Sequence, residues 1–284
     1  MISLPQPDAR RIGGIAGIAL IVSDLDAAIA FYCTGLGFAF VERSLDADST
    51  DSATLTLSSA TLRLDQPASP GRPYPTGRSA NDPWFQHFAI RVADMDAAYA
   101  RLSARPFTPI STSGPQQLPS SSGSVIAFKF RDPDGHPLEL LHYPGEPPSP
   151  DGSPFLAIDH SAIAVSDVEA SIAFYRDWLG FRLAERLVNQ GQTQWRLDGL
   201  DGAVVDIVVL TPPAPGPHLE LLHYRSPAPV VPLTDVAPKD IAATRLLVRT
   251  TAGGRDLLID PDGHFLELVK SAASPAQTDL PRHH

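Results

Sequence analysis

The chain holds one cysteine, Cys33, among its 284 residues, so an intramolecular disulfide and a cysteine-rich zinc site are both excluded. Positive charge is also scarce: 22 Lys and Arg against 32 Asp and Glu give a net charge of -10. That balance argues against nucleic acid or an anionic membrane surface as a partner. No apolar run approaches the length needed to span a bilayer. The N-terminus, MISLPQPDARRIGG, has no apolar stretch of the kind that opens a secretory signal, and a reducing cytoplasm is the expected compartment. What remains is long enough to bury a full core. Proline is plentiful at 29 residues, but it clusters in QPASPGRPYPTGRSANDP, YPGEPPSPDGSP and RSPAPVVPLTDVAPKD, which read as joints between compact units.

Between the joints the chain repeats itself. VSDLDAAIAFYCTGLGFAFVER (22–43) and VSDVEASIAFYRDWLGFRLAER (165–186) align without a gap and share 13 of 22 positions. A weaker copy, VADMDAAYARL, runs from 92 to 102. Each copy starts with a short apolar strand that runs into [SA]-D, a helix N-cap signal. Apolar residues at helical spacing follow (Ile29, Phe31 and Tyr32, or Ile172, Phe174 and Tyr175), then glycines suited to a helix exit, then alternating strands. The last strand carries the phrase LEL, as DPDGHPLEL, GPHLEL and DPDGHFLEL. The unit is therefore β-α-β-β-β, expected over 14–66, 84–144 and 155–226. A fourth copy at 240–270 is too short for its helix, and the tail 271–284 is expected to be disordered.

These openings, the FY…LGF phrase and DPDGHxLEL make the chain similar to the vicinal oxygen chelate superfamily, which groups glyoxalases, bleomycin-resistance proteins and extradiol dioxygenases. The resemblance covers nearly the whole chain and is more specific for fold than for reaction. It implies an α+β fold in which βαβββ modules pair into cup-shaped mixed β-sheets. It also implies a divalent metal at the cup floor, held by residues of the first and last strands.

Candidate ligands follow from position. Five residues before the valine that precedes [SA]-D stand His160, His87 and, in the first module, Gly17; the same count from Val248 gives Ala243 in the fourth. The last strands supply Glu139, Glu220 and Glu267, with Arg63 at the matching place in the first module. Imidazole and carboxylate together suit Ni, Co, Zn, Mn or Fe. Pairing modules 2 and 3 puts His87, Glu139, His160 and Glu220 in one cup and leaves the cup of modules 1 and 4 without histidine. Dimeric glyoxalase I-like enzymes, by the resemblance, build sites from modules of two subunits, so the fused chain is expected to act as a monomeric pseudo-dimer or as a homodimer.

Such a ligand set leaves two positions for a small molecule's adjacent oxygens, with Glu139 or Glu220 as general base: glyoxalase-type chemistry, a lyase or isomerase step alpha to a carbonyl. A ring-cleaving dioxygenase using two histidines and one carboxylate is the alternative, and a metal-free small-molecule or drug-binding protein is a third. Arg91, on the strand parity of His87, and Trp195 are candidate substrate-binding residues. His136 and His264 read as turn residues. His142 and His223, three residues past a glutamate, fall on the opposite strand face. Glu267 is expected to bind no catalytic metal.

Overall fold

The computed structural model describes residues 12–69, 71–229, 236–251 and 256–270; the tail expected to be disordered lies outside the described residues. Two mixed sheets form. The first joins the ends of the chain: β1 (Ile12–Ile21), β2 (Ala39–Leu45), β3 (Asp51–Leu57) and β4 (Ala60–Gln66) meet β14 (Arg245–Thr250), β15 (Leu257–Ile259) and β16 (Phe265–Lys270) in the order β15-β16-β14-β1-β4-β3-β2. The second joins the middle. Its strands are β5 (Gln86–Val92), β6 (Thr108–Pro109), β7 (Gln116–Gln117), β8 (Ile126–Arg131), β9 (Pro137–His142), β10 (Phe155–Ala164), β11 (Arg182–Gln190), β12 (Val204–Thr211) and β13 (His218–Ser226). They run in the order β11-β12-β13-β10-β5-β9-β8-β6, with β7 on β8. Modules 2 and 3 thus share one sheet and modules 1 and 4 the other. Among the described residues no helix is long and apolar enough to cross a membrane.

Three helices open as their sequences suggest. α1 (Leu25–Ala30), α2 (Met95–Ser103) and α3 (Val168–Leu179) are capped by Asp24, Asp94 and Asp167, whose side chains accept from the backbone N–H three residues on. α3 leaves through Gly180 in the left-handed conformation. In the fourth module the described residues between β14 and β15 hold no helix. One feature not foreseen is α4 (Gln192–Asp198), inserted between β11 and β12.

The leucines of each LEL phrase explain the core. Side chains alternate across a strand, so Leu138 and Leu140, Leu219 and Leu221, and Leu266 and Leu268 all enter one apolar core with Tyr32, Phe88 and Tyr175. The glutamates point the other way. The DPDGH turns tie this core together. Tyr32 donates to buried Asp132 at 2.7 Å, and Tyr175 donates to Asp260 at 3.0 Å. The backbone N–H of Ser23 reaches Asp134 at 3.1 Å, and that of Ser166 reaches Asp262 at 2.8 Å. The helical segments of modules 1 and 3 are therefore bolted to the turn of the next module in sequence, although the strands of the two modules in each pair lie in different sheets. His136 and His264 serve these turns, as expected: His136 bridges Asp132 (2.9 Å) and the carbonyl of Ile241 (3.2 Å), and His264 donates to the carbonyl of Ala164 at 2.7 Å.

Candidate metal centre

β5 and β10 run antiparallel at the middle of the second sheet, with Ala89 opposite His160 and His87 opposite Ala162. Each is flanked by the parallel last strand of its own module, which sets Glu139 beside Ala89 and Glu220 beside Ala162. This two-fold arrangement puts both imidazoles and both carboxylates on the concave face. The Nε2 of His87 stands 3.3 Å from Glu139, and the Nε2 of His160 stands 3.6 Å from Glu139 and 3.7 Å from Glu220. Ligand atoms of His87, Glu139 and His160 all lie within 4.8 Å of one another; Glu220 falls outside that tight group. His142 and His223 sit across the sheet, bonded to the carbonyls of Val92 and Val165.

The electrostatics follow from burial. Desolvation holds the imidazole of His87 below its ordinary value, against the pull of Glu139. Burial works against the charged form of Glu139 too, but Lys129 and the two histidines outweigh it and keep the carboxyl far below the usual range. For His160 burial is overcome by Glu220, Asp159 and Glu139, and its pKa stands well above that of a free imidazole. Asp159 fixes this ring by bonding Nδ1 at 3.0 Å, which leaves Nε2 toward the cluster. Both nitrogens of His87 and the Nε2 of His160 are buried without a hydrogen-bond partner. Unpaired polar atoms cost free energy in a protein interior, and a divalent ion would satisfy one nitrogen of each ring and take the place of the proton on His160. The donor set therefore fits a borderline divalent metal.

The cluster floors a cavity of about 420 Å³. Its walls mix leucine, valine and isoleucine with polar side chains, Lys129, Tyr143, Asn189 and Gln194 among them. His218 also lines it, with Nε2 3.3 Å from Glu220. Sequence reasoning passed over His218, although it stands two residues before Glu220 and strand alternation alone puts it on the same face.

Two expected residues lie elsewhere. Arg91 keeps the parity of His87 but stands four residues along β5, about 13 Å away at strand rise. There its Nε faces Glu146 at 3.6 Å, and it does not line the cavity. Trp195 packs with Leu200 and Ile207 against a small apolar cluster and donates to the carbonyl of Ala203 at 3.1 Å. α4 turns Gln194 and Leu197 to the cavity instead.

The other cup keeps one of the four places, with Glu267 where Glu220 stands, and has other residues at the remaining three. Gly17 takes the position of His87, two residues before Ala19, which pairs with Arg63 as Ala89 pairs with Glu139. A Cβ at Gly17 would stand 1.7 Å from the carbonyl oxygen of Thr61, so no histidine fits there. In module 4 the expected Ala243 is corrected to Arg245. It faces Ala19 as His160 faces Ala89, and it lies beside Phe265 as His160 lies beside His218. The frame slipped by two because module 4 has no [SA]-D from which to count. Arg63 bonds Glu267 at 2.8 and 2.5 Å and reaches both oxygens of Asp65 at 3.0 Å, while Arg245 reaches Asp65 at 3.1 Å. Guanidinium groups thus supply the positive charge in this cup.

The profile of the glyoxalase/bleomycin resistance protein/dioxygenase superfamily matches residues 14–140 and 157–268. Glyoxalase I from Zea mays is similar in fold, with a TM-score of 0.61 and 17% identity over 90% of this chain and 92% of that one. A putative dioxygenase from Bacillus subtilis subsp. subtilis str. 168 matches with a TM-score of 0.57 and 12% identity over 92% of this chain and 86% of that one. No curated protein matches the chain in sequence.

Proposed function

The chain belongs to the glyoxalase/bleomycin resistance protein/dioxygenase superfamily, and from that premise we propose that it is a divalent-metal-dependent enzyme of the glyoxalase type. It acts on a small molecule with vicinal oxygens, as a lyase or isomerase that moves a proton alpha to a carbonyl. His87, Glu139, His160 and Glu220 would hold the ion, which is Ni, Co, Zn, Mn or Fe. When bound, the ion supplies Lewis-acid stabilisation of the oxyanion that forms as the proton leaves. The observation that carries this reading is the convergence of partnerless imidazole nitrogens and a buried carboxylate at the floor of a cavity.

The two carboxylates have different surroundings. Glu139 touches both histidines and has Lys129 as the main charge keeping it ionised, so it stays in place. Glu220 stands apart from the tight group and beside His218, in reach of a molecule in the cavity. Glu220 is therefore the better placed to take the proton and return it. The test is deuterium incorporation at the alpha carbon of an α-hydroxyketone in D2O with metal-loaded protein. Exchange without oxygen uptake supports the reading, and no exchange with any of the five metals overturns it.

A second reading has one observation in its favour: the tightest group is two histidines and one carboxylate, His87, His160 and Glu139. That set suits non-haem iron and a ring-cleaving dioxygenase. Oxygen consumption by the iron-loaded protein with catechol would favour it over the first.

A further inference from the structure

Among the described residues, three side chains that line the cavity hold buried polar atoms with no hydrogen-bond partner: His87, His160 and Gln194. A metal would account for one nitrogen of each histidine. Gln194 is 3% exposed, and its Nε2 donates to Asp198 at 2.8 Å. Asp198 can only accept, because it also takes Lys129 at 2.7 Å and the hydroxyl of Tyr224 at 3.2 Å. The amide is therefore fixed with its nitrogen on Asp198, and Oε1 is left as an acceptor without a donor.

Charge gives a second constraint. Among the described residues that line the cavity Lys129 is the one Lys or Arg, and Asp198 already neutralises it. Against it stand Glu139, Glu185 and Glu220. Arg91 is turned to Glu146, outside the cavity. The two charges of a bound ion are matched by Glu139 and Glu220, so a carboxylate or phosphate on the substrate would be desolvated here without a free counter-charge.

From these two constraints we infer that the site selects an uncharged substrate, whose vicinal oxygens go to the ligand cluster and whose further hydroxyl or N–H donates to Gln194. The inference rests on the metal-dependent reading above. It names Gln194 as the residue that reads this further group of the substrate, and it sets the site against anionic co-substrates.

The test uses the full chain loaded with Co(II) and three catechols that share one chelating pair: 4-methylcatechol, 3,4-dihydroxybenzyl alcohol and 3,4-dihydroxybenzoate. Each is titrated without oxygen, and binding is read from the visible cobalt spectrum. The alcohol should bind about three- to tenfold more tightly than the methyl compound, the worth of one neutral hydrogen bond. The benzoate should bind at least about tenfold more weakly than the methyl compound, as befits an unpaired charge. In Gln194→Met the advantage of the alcohol should vanish while cobalt content and the ligand-free spectrum stay unchanged. A benzoate that binds as tightly as the methyl compound overturns the inference, as does an alcohol preference that survives Gln194→Met. If cobalt does not bind, or no catechol moves its spectrum, the metal-dependent reading itself falls and the inference with it.

Discussion

Arg63→Met should destabilise the protein without touching the metal centre. The guanidinium is 11% exposed and makes four close contacts with Asp65 and Glu267, which are 7% and 8% exposed. Breaking a buried pair strands the remaining charge, at a typical cost of about 3–5 kcal/mol. Asp65 keeps Arg245 at 3.1 Å and Ser52 at 2.8 Å, so its share of that cost is reduced. Glu267 loses both bonds to Arg63, and its remaining neighbours include Arg245 at 3.8 Å. A loss of about 3 kcal/mol, toward the lower end of that range, is therefore expected. Arg63→Met with Glu267→Leu removes both charges and should recover most of it, because an apolar pair replaces a buried ion pair at little cost. Urea unfolding at neutral pH measures all three proteins, and metal content should be equal in each. The reasoning fails if the single variant costs less than about 1 kcal/mol, or if the double variant is no more stable than the single one.

Two further predictions concern the DPDGH turns. Tyr175→Phe removes a donor from buried Asp260 and should cost about 1.5–3 kcal/mol, the range for a hydrogen bond to a charged group; thermal unfolding with no fall in midpoint would refute that role. Burial pulls the pKa of His136 down, but Asp132 outweighs it and holds the imidazole above its ordinary 6.5. A raised folded-state pKa contributes stability that is complete below the unfolded value and is lost as pH rises through the folded one. The stability gap between the wild type and His136→Asn should therefore shrink as pH rises above about 6.5, and a gap that widens would contradict the assignment.

Much of this was legible in the sequence because strands alternate. Glu139 and Glu220 could be placed on a cup face, and their flanking leucines in the core, from period two alone. The pairing of modules 2 with 3 followed from chemistry: only that pairing gathers two histidines and two glutamates. Parity has no length scale, however, so it put Arg91 on the right face but too far along the strand. It also said nothing of α4, where one position of helical phase separates Gln194, in the cavity, from Trp195, behind it. Arg245 was hidden because its module lacks the [SA]-D marker, although two arginines within the strand ATRLLVRT were a signal in plain sight. The partnerless Oε1 of Gln194 depends on bonds to Asp198 made from three separate elements, and no local pattern encodes that.

The central claim is that one cup binds a metal through residues of two modules while the other cup binds none. Metal analysis of the purified protein beside His87→Ala, His160→Ala and Glu267→Ala tests it most directly. The account predicts about one divalent ion per chain in the wild type and in Glu267→Ala, and a loss of ten- to a hundredfold or more in affinity for each histidine variant. Full metal content in both histidine variants, or loss of metal in Glu267→Ala alone, would contradict it.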